Sequence, residues 1–286
     1  MRLGHLGPAG TFTEEAARAS SLGAGELLPY PSVRDTVQAV LAGDVDAALV
    51  PIENSLEGTV TATVDALSAE PRLRMVGEAV LPIRHCLIAR AEVELGALRE
   101  VRSHPQALGQ CTRFLRKELP GAALVPLAST AEAVRDLDAD DVAAIASHAA
   151  AELHGGVVLC AGIEDEAGNA TRFAWLALDG AEPFPPAEPG AAFKTSVLFA
   201  GAGDAKPGWL VRCLSEMAFR GVNLVKIESR PARKELGHYL FLADCEGRED
   251  DPAVADALEG LRGHCDQVRV LGSYPTAPVR GEGSLS

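Results

Sequence analysis

Apolar and polar positions alternate along the first 180 residues in short blocks that switch between strand and helix periods. "RLGHLG" reads as a short strand. Thr11 with Glu14 fits a capping box opening a helix to about Ser20. Ser32 with Asp35 opens a second helix, "VRDTVQAVLAG", stopped by Gly43. "DAALVPI" is a buried strand and "TVTATVDALSA" a helix. Strand-like runs fill Met75 to Arg90. "REVRSH" leads into a helix predicted from Pro105 to about Leu119. "AALVPLA", a helix from Ser129, "DVAAIAS" and a helix from about His148 follow. "GVVLCAGI" and "RFAWLAL" close the region, with Thr171 and Arg172 expected where a loop enters the last strand. This alternation predicts an open, mostly parallel α/β sheet.

Residues 181–192, "AEPFPPAEPGAA", hold four prolines. Proline lacks an N–H and fixes φ, so the stretch is read as a linker, not a helix interior or central strand. Beyond it come a strand "KTSVLFAG", a helix "PGWLVRCLSEMAFRG", strands "NLVKIESRP" and "HYLFLADCEG", a helix "DPAVADALEGLRGHC" and a strand "QVRVLGSY". The order βαββαβ is the ferredoxin-like arrangement. The expected division is 1–180, a linker at 181–192, a second domain at 193–275 and a disordered tail at 276–286.

Composition narrows the function. With 286 residues the chain can bury two or three cores, and 47% hydrophobic with 23% charged residues is ordinary for a globular protein. A net charge of −14 argues against binding nucleic acid or anionic membrane. The first dozen residues lack the apolar core of a signal peptide, and no run is long enough to span a bilayer. The six cysteines form no C-x-x-C pair and read as reduced residues of a cytoplasmic protein. The seven histidines have no metal-ligand spacing, so neither metal nor cofactor is expected.

Four polar patches carry the candidate chemistry: "GPAGTFT" (7–13), "PIENSLEGT" (51–59), "SHPQALGQ" (103–110) and "GNATRF" (168–173). They are expected where strands end and helices begin, the positions at which open α/β sheets bind ligands. Each has a plain structural reading: Gly7, Pro8 and Gly10 suit a turn, Thr11 a cap, Asn54 and Ser55 a turn, and Ser103 a cap for the helix that Pro105 opens. Together they form a cradle rich in hydroxyl and amide groups and poor in lysine, suited to an anionic ligand. No G-x-S-x-G elbow, Walker loop or G-x-G-x-x-G fingerprint is present.

"GPAGTFTEEAA", "PIENSLEGTV", "SHPQALGQC" and "NATRF", in this order, resemble the motifs of the prephenate dehydratase family. "NLVKIESRP" with "YLFLADCEG" resembles that family's C-terminal ACT regulatory domain. The resemblance spans roughly residues 2–275. It implies a periplasmic-binding-protein-like catalytic region with two lobes around a cleft, followed by the ACT domain. It implies the monofunctional form, since no chorismate mutase bundle precedes the first motif. The implied reaction converts prephenate to phenylpyruvate in phenylalanine biosynthesis, under control by phenylalanine or another aromatic amino acid.

By that match Thr171 is the family's essential threonine, an oriented donor at the departing hydroxyl. Asn54, Ser55, Ser103 and Gln110 are expected to bind substrate, and Thr11 lies in the same set. Arg172 either holds the pyruvyl carboxylate or shapes the site; Glu53 either binds substrate or is structural. "ESRP" resembles the effector loop, giving Gly208, Leu210, Asn223, Glu228 and Ser229 as effector residues. The family's G-A-L element reads Gly208-Trp209-Leu210 here, so Trp209 either points into the effector pocket or packs in the core or the dimer contact. ACT domains pair edge to edge, implying a homodimer or dimer of dimers. The alternatives are arogenate dehydratase, a non-catalytic cytosolic sensor, and an ACT-regulated scaffold with a decayed site.

Overall fold

The structure, a computed structural model, describes residues 1–21, 24–201, 206–231 and 239–277. Of the tail expected at 276–286, residues 278–286 lie outside the described residues. The chain forms two compact units. One holds Met1–Val64 and Ala79–Phe173; the other holds Asp65–Glu78 and Ala174–Ala277. Among the described residues no helix is long and apolar enough to cross a membrane.

The first sheet runs β2 (Glu26–Tyr30), β1 (Arg2–Leu6), β3 (Ala47–Asn54), β11 (Ala170–Leu178), β5 (Leu73–Pro82), with the two-residue β4 (Gly58–Thr59) on β3. β1 pairs parallel with β2 and β3, as α1 (Phe12–Ser20) and α2 (Val33–Ala42) provide the crossovers. Both helices begin as the sequence predicts: Thr11 and Ser32 cap them through side-chain oxygens, and Gly43 ends α2 at φ 77°. The Glu14 carboxylate, however, accepts from the N–H of Gly10 at 2.6 Å, tying the 7–13 turn to the helix. Strand β2 was not expected, because "ELLPY" lacks a clear alternation.

The second sheet runs β10 (Val157–Ala161), β6 (Cys86–Ala89), β9 (Val142–Ala146), β7 (Glu100–Ser103), β8 (Ala123–Pro126). β6 is antiparallel to both neighbours, while β7 is parallel to β8 and β9. The region therefore holds two sheets, each with at least one antiparallel pair, where the alternation predicts a single mostly parallel sheet. Both faces of the second sheet are covered. Leu87, Val101, Ala143 and Ile145 pack with residues of α4 (Pro105–Gln110) and α5 (Thr112–Glu118). Cys86, Ile88, Ala144 and Ala146 pack with α6 (Thr130–Arg135) and α7 (His148–His154). The period of two along each strand produces this split, and it explains the unbroken apolar runs. The helix expected over 105–119 breaks at Cys111, whose φ of −118° is not helical.

In the second unit β12 (Phe193–Ala200), α8 (Trp209–Ala218), β13 (Leu224–Pro231), β14 (Tyr239–Glu246), α9 (Pro252–Arg262) and β15 (Gln267–Pro275) follow the predicted βαββαβ order. The sheet order is β13-β14-β12-β15, antiparallel throughout the pairs given by its ladder. The fold is thus mixed α/β, a two-sheet region joined to a ferredoxin-like domain. Val197, Phe199, Phe241, Ala243 and Cys245 face α8 and α9. Trp209 belongs to this core, 4% exposed, and its Nε1–H donates to the carbonyl of His264 at 2.6 Å.

α3 (Thr61–Ala69) ends within the second unit, and its C-terminal turn and β5 are bound to β12 and β15. Arg269 donates to the carbonyls of Leu67, Glu70 and Leu73. Lys194 pairs with buried Glu78 at 3.0 Å. A Cβ on Gly272 would stand 1.9 Å from the carbonyl oxygen of Met75, so that close approach requires glycine. The proline-rich stretch carries no helix or strand, yet Phe184 is buried edge-on against Trp175, with its N–H on the Val76 carbonyl.

Candidate active site

In the first unit a cavity of about 260 Å³ is walled by Phe12, Ile83 and Phe173 and by polar Asn54, His85, Gln110 and Thr171, among others. That is near the lower bound of ligand cavities, about 300 Å³, and suits a compact one-ring substrate. Among the described residues, no lysine or arginine lines it.

Thr171 and Arg172 are strand residues, because β11 starts at Ala170. "GNATRF" therefore sits at a strand start, unlike the other three patches, which lie at the C-terminal ends of β1, β3 and β7. Successive strand residues face opposite ways, so Thr171 and Phe173 line the cavity while Arg172 does not. The Arg172 guanidinium lies 3.4 Å from the carboxylate of Glu53, which is likewise absent from the cavity wall.

Thr171, Asn54 and Gln110 belong to one hydrogen-bond chain, and backbone geometry fixes its direction. Asn54 is the last residue of β3, and its Oδ1 accepts from the N–H groups of Leu56 and Glu57 in the following turn at 3.0 and 3.2 Å. Its Nδ2 must then donate, and it does so to Thr171 Oγ1 and Asn169 Oδ1, both at 2.9 Å. Asn169 consequently donates through Nδ2 to Gln110 Oε1 at 3.1 Å. Gln110 donates through Nε2 to Glu57 at 3.2 Å. His85 Nε2 lies 3.0 Å from the same Gln110 Oε1 and must carry the proton of that bond. Each amide has one orientation consistent with the two N–H groups at its start.

The chain leaves two polar groups without a full set of partners, both on residues that line the cavity. Thr171 accepts from Asn54, so its own hydroxyl hydrogen is uncommitted among the described residues. His85 is 2% exposed, and its Nδ1 is buried without a partner. Burial holds the imidazole below its ordinary value of 6.5, outweighing the Gln110 bond and the charge of Glu164, so it is neutral near pH 7. Glu164 anchors this residue from behind, accepting from the His85 N–H at 2.9 Å and from Arg84 at 2.9 Å. Burial alone would raise the Glu164 carboxyl, but these bonds hold it below its ordinary value.

The remaining expected residues serve local structure. Ser55 accepts from the Ala170 N–H at 3.0 Å and bonds Asn169 Oδ1 at 3.3 Å, joining the 54–57 turn to the start of β11. Ser103 is fully buried, donating to the Ile145 carbonyl at 2.6 Å, and neither caps α4 nor lines the cavity. His104 is the cap instead, through Nδ1 to the Gln106 N–H. Thr11 caps α1 and donates to the Leu6 carbonyl. His85, His104, Gln106 and Asn169 were not selected from sequence. Asn169 had a signal, since it opens the "NATRF" motif; His85 had none, standing alone in "LPIRHCLI".

The effector residues expected from sequence lie in the second unit. Gly208 precedes α8 with φ 77°, and Leu210 is half-buried in the first turn. Asn223, Glu228 and Ser229 belong to β13 or its approach, at the edge of the sheet. The Glu228 carboxylate stands 4.0 Å from Lys226 Nζ.

The family model for prephenate dehydratase matches residues 3–181. A prephenate dehydratase of Amycolatopsis methanolica is 39% identical over 277 residues, covering 96% of this chain and 89% of the relative. The structure of a prephenate dehydratase of Arthrobacter aurescens in complex with L-Phe is 41% identical, with a TM-score of 0.86 over 96% of this chain and 90% of that one. A structure described as a novel type of quorum-quenching acylase is 30% identical, with a TM-score of 0.85 over 98% and 100% of the two chains. A match across most of the chain at this identity, with the amide chain built from the motifs at 54, 110 and 169–173, makes this protein a member of the prephenate dehydratase family.

Proposed function

We propose that this protein converts prephenate to phenylpyruvate, water and carbon dioxide, with Thr171 as the donor at the departing hydroxyl. The observation that carries the reading is the Thr171 hydroxyl, fixed by Asn54 as an acceptor at 2.9 Å and free to donate into the cavity. In the reaction the C–CO2 bond breaks and its electron pair enters the ring. The ring C–O bond breaks in turn, and hydroxide takes one proton to leave as water. Aromatisation supplies the driving force; the barrier lies in expelling hydroxide. A threonine hydroxyl is too weak an acid to give up its proton unaided, so Thr171 aligns and stabilises the leaving oxygen while solvent supplies the proton.

The ring carboxylate poses the opposite demand. A direct ion pair would stabilise it and oppose loss of CO2. The cavity wall has apolar Phe12, Ile83 and Phe173, neutral amides and, among the described residues, no lysine or arginine, which suits a partly desolvated carboxylate. The same neutrality argues against acyl transfer as in the acylase. Among the described residues no cavity hydroxyl or thiol is hydrogen-bonded to a histidine that would activate it.

Control follows from the second unit. Phenylalanine, bound in the Arthrobacter relative, is the proposed effector here, held between two copies of the 193–275 domain at Gly208, Leu210, Asn223, Glu228 and Ser229. A homodimer or dimer of dimers in the cytoplasm completes this reading. The test is incubation of the purified protein with prephenate, and separately arogenate, following phenylpyruvate or phenylalanine formation with and without Phe, Tyr and Trp. Faster turnover of arogenate would reassign the substrate. Absence of turnover on either would leave a binding protein.

A further inference from the structure

We infer that His85 is the residue that recognises the substrate's ring hydroxyl, accepting its hydrogen through Nδ1 and turning its lone pair toward Thr171. The inference rests on the prephenate reading and extends it to a residue outside the motifs that suggested it.

Three observations carry it. First, the tautomer is dictated by the fold. The N–H groups of Leu56 and Glu57 fix Asn54, Asn54 fixes Asn169, Asn169 fixes Gln110, and Gln110 Oε1 fixes the His85 proton on Nε2. Nδ1 is therefore a bare acceptor. Second, that acceptor is buried and has no partner, while its residue lines the cavity. A buried acceptor left without a partner keeps its full desolvation penalty, so its natural complement is a donor on the ligand. Third, the proposed substrate has one donor. Both carboxylates are ionised at neutral pH and the side-chain carbonyl only accepts, so the ring O–H alone can satisfy Nδ1.

The consequence is an orientation device. A hydroxyl that donates to His85 exposes its lone pairs, and one of them is then the acceptor for the Thr171 hydroxyl. His85 thus helps choose which end of a pseudo-symmetric ring faces the donor. Because the imidazole is the last member of the chain that begins at Thr171, both groups are held by the same amides. The T-shaped contact of Phe12 with the His85 ring, centroids 5.6 Å apart, limits rotation about the side chain.

The test uses the full chain and two ring-saturated prephenate analogues that cannot aromatise, one with the hydroxyl and one with hydrogen in its place. Wild type is expected to bind the hydroxyl analogue about tenfold more tightly, the worth of one such bond. His85→Gln, whose amide can still donate to Gln110, is expected to bind both analogues equally while retaining its affinity for the deoxy one. The histidine-labelled wild type gives an independent nitrogen NMR reading. The unprotonated Nδ1 resonance of His85 should move upfield with the hydroxyl analogue and stay with the deoxy analogue. Equal binding of the two analogues by wild type, an Nδ1 signal showing a bound proton, or an undiminished hydroxyl preference in His85→Gln would overturn the inference. Wild type that turns over prephenate yet gives these results refutes the role of His85 alone; wild type inert toward prephenate refutes the reading beneath it.

Discussion

Asn54 donates through Nδ2 to the hydroxyl of Thr171 at 2.9 Å, across 117 positions of sequence. The amide occupies one lone pair of the hydroxyl and so leaves its hydrogen for the cavity. Thr171→Ala is expected to lower kcat by about 10²–10³-fold, the usual cost of one well-placed donor at a developing charge. KM should change little, and stability by no more than about 1 kcal/mol, because Asn54 keeps Asn169 as an acceptor. Thr171→Ser should restore most of the rate. Steady-state kinetics with a urea melt checks both; near-normal kcat in the alanine variant would make the residue structural.

Asn54 serves the turn and the site through different atoms, so two substitutions separate the roles. Asn54→Ala removes the acceptor for Leu56 and Glu57 and should destabilise the protein by about 2–3 kcal/mol as well as inactivating it. Asn54→Asp keeps that acceptor but presents a second oxygen to Thr171 and Asn169. It should melt closer to wild type and still lose turnover, as thermal denaturation and the phenylpyruvate assay would report.

Trp209 is a core residue, so its removal should not open an effector pocket. Trp209→Ala is expected to cost about 3–5 kcal/mol, the range for a buried aromatic. Trp209→Phe should cost less and leave phenylalanine affinity within a few-fold of wild type. Calorimetry that finds tighter phenylalanine binding in the alanine variant would place the ring in the pocket after all.

Cutting the chain near Pro185 should abolish any response to aromatic amino acids, but at a cost in stability. The fragment loses Lys194 from buried Glu78 and Arg269 from three carbonyls. Breaking a buried pair typically costs about 3–5 kcal/mol. A urea melt of residues 1–185 should show a loss of at least that size, and Glu78→Gln in the fragment should recover part of it. A fragment as stable as the full chain would contradict this account.

The pH dependence follows from His85 and Glu164, both held below their ordinary values of 6.5 and 4.5. A depressed histidine contributes stability that is complete above 6.5 and declines as pH falls toward its folded value, because the unfolded chain takes the proton first. The depressed carboxyl does the same below 4.5. Stability should therefore be flat from pH 8 to 6.5 and fall in two stages below. Activity should keep its neutral imidazole through pH 6.5, with the acid limb of kcat/KM lying lower. His85→Gln should shrink the upper stage of the stability profile and leave the part that belongs to His5, whose imidazole burial also holds below 6.5.

The sequence by itself determined the local elements and the region of the site. Caps at Thr11, Ser32 and Ser129, the glycine stop at Gly43 and the βαββαβ order are encoded within a few residues of where they act. The motifs around Asn54, Gln110 and Thr171 marked three cavity residues for the same reason. Tertiary structure decided the rest. It divided two adjacent residues, sending Thr171 to the cavity and Arg172 toward Glu53, because β11 begins at Ala170, ahead of the apolar run "RFAWLAL", and a strand alternates its faces. It buried Ser103 under Ile145 and made His104 the cap. It put Trp209 into a core whose other members lie up to about fifty residues away. It also recruited His85, since a proton's position on an imidazole depends on an amide 25 positions on, and that amide on another 59 beyond. Such a bond chain has no period and no local signature; only the packed chain brings its members within hydrogen-bond distance.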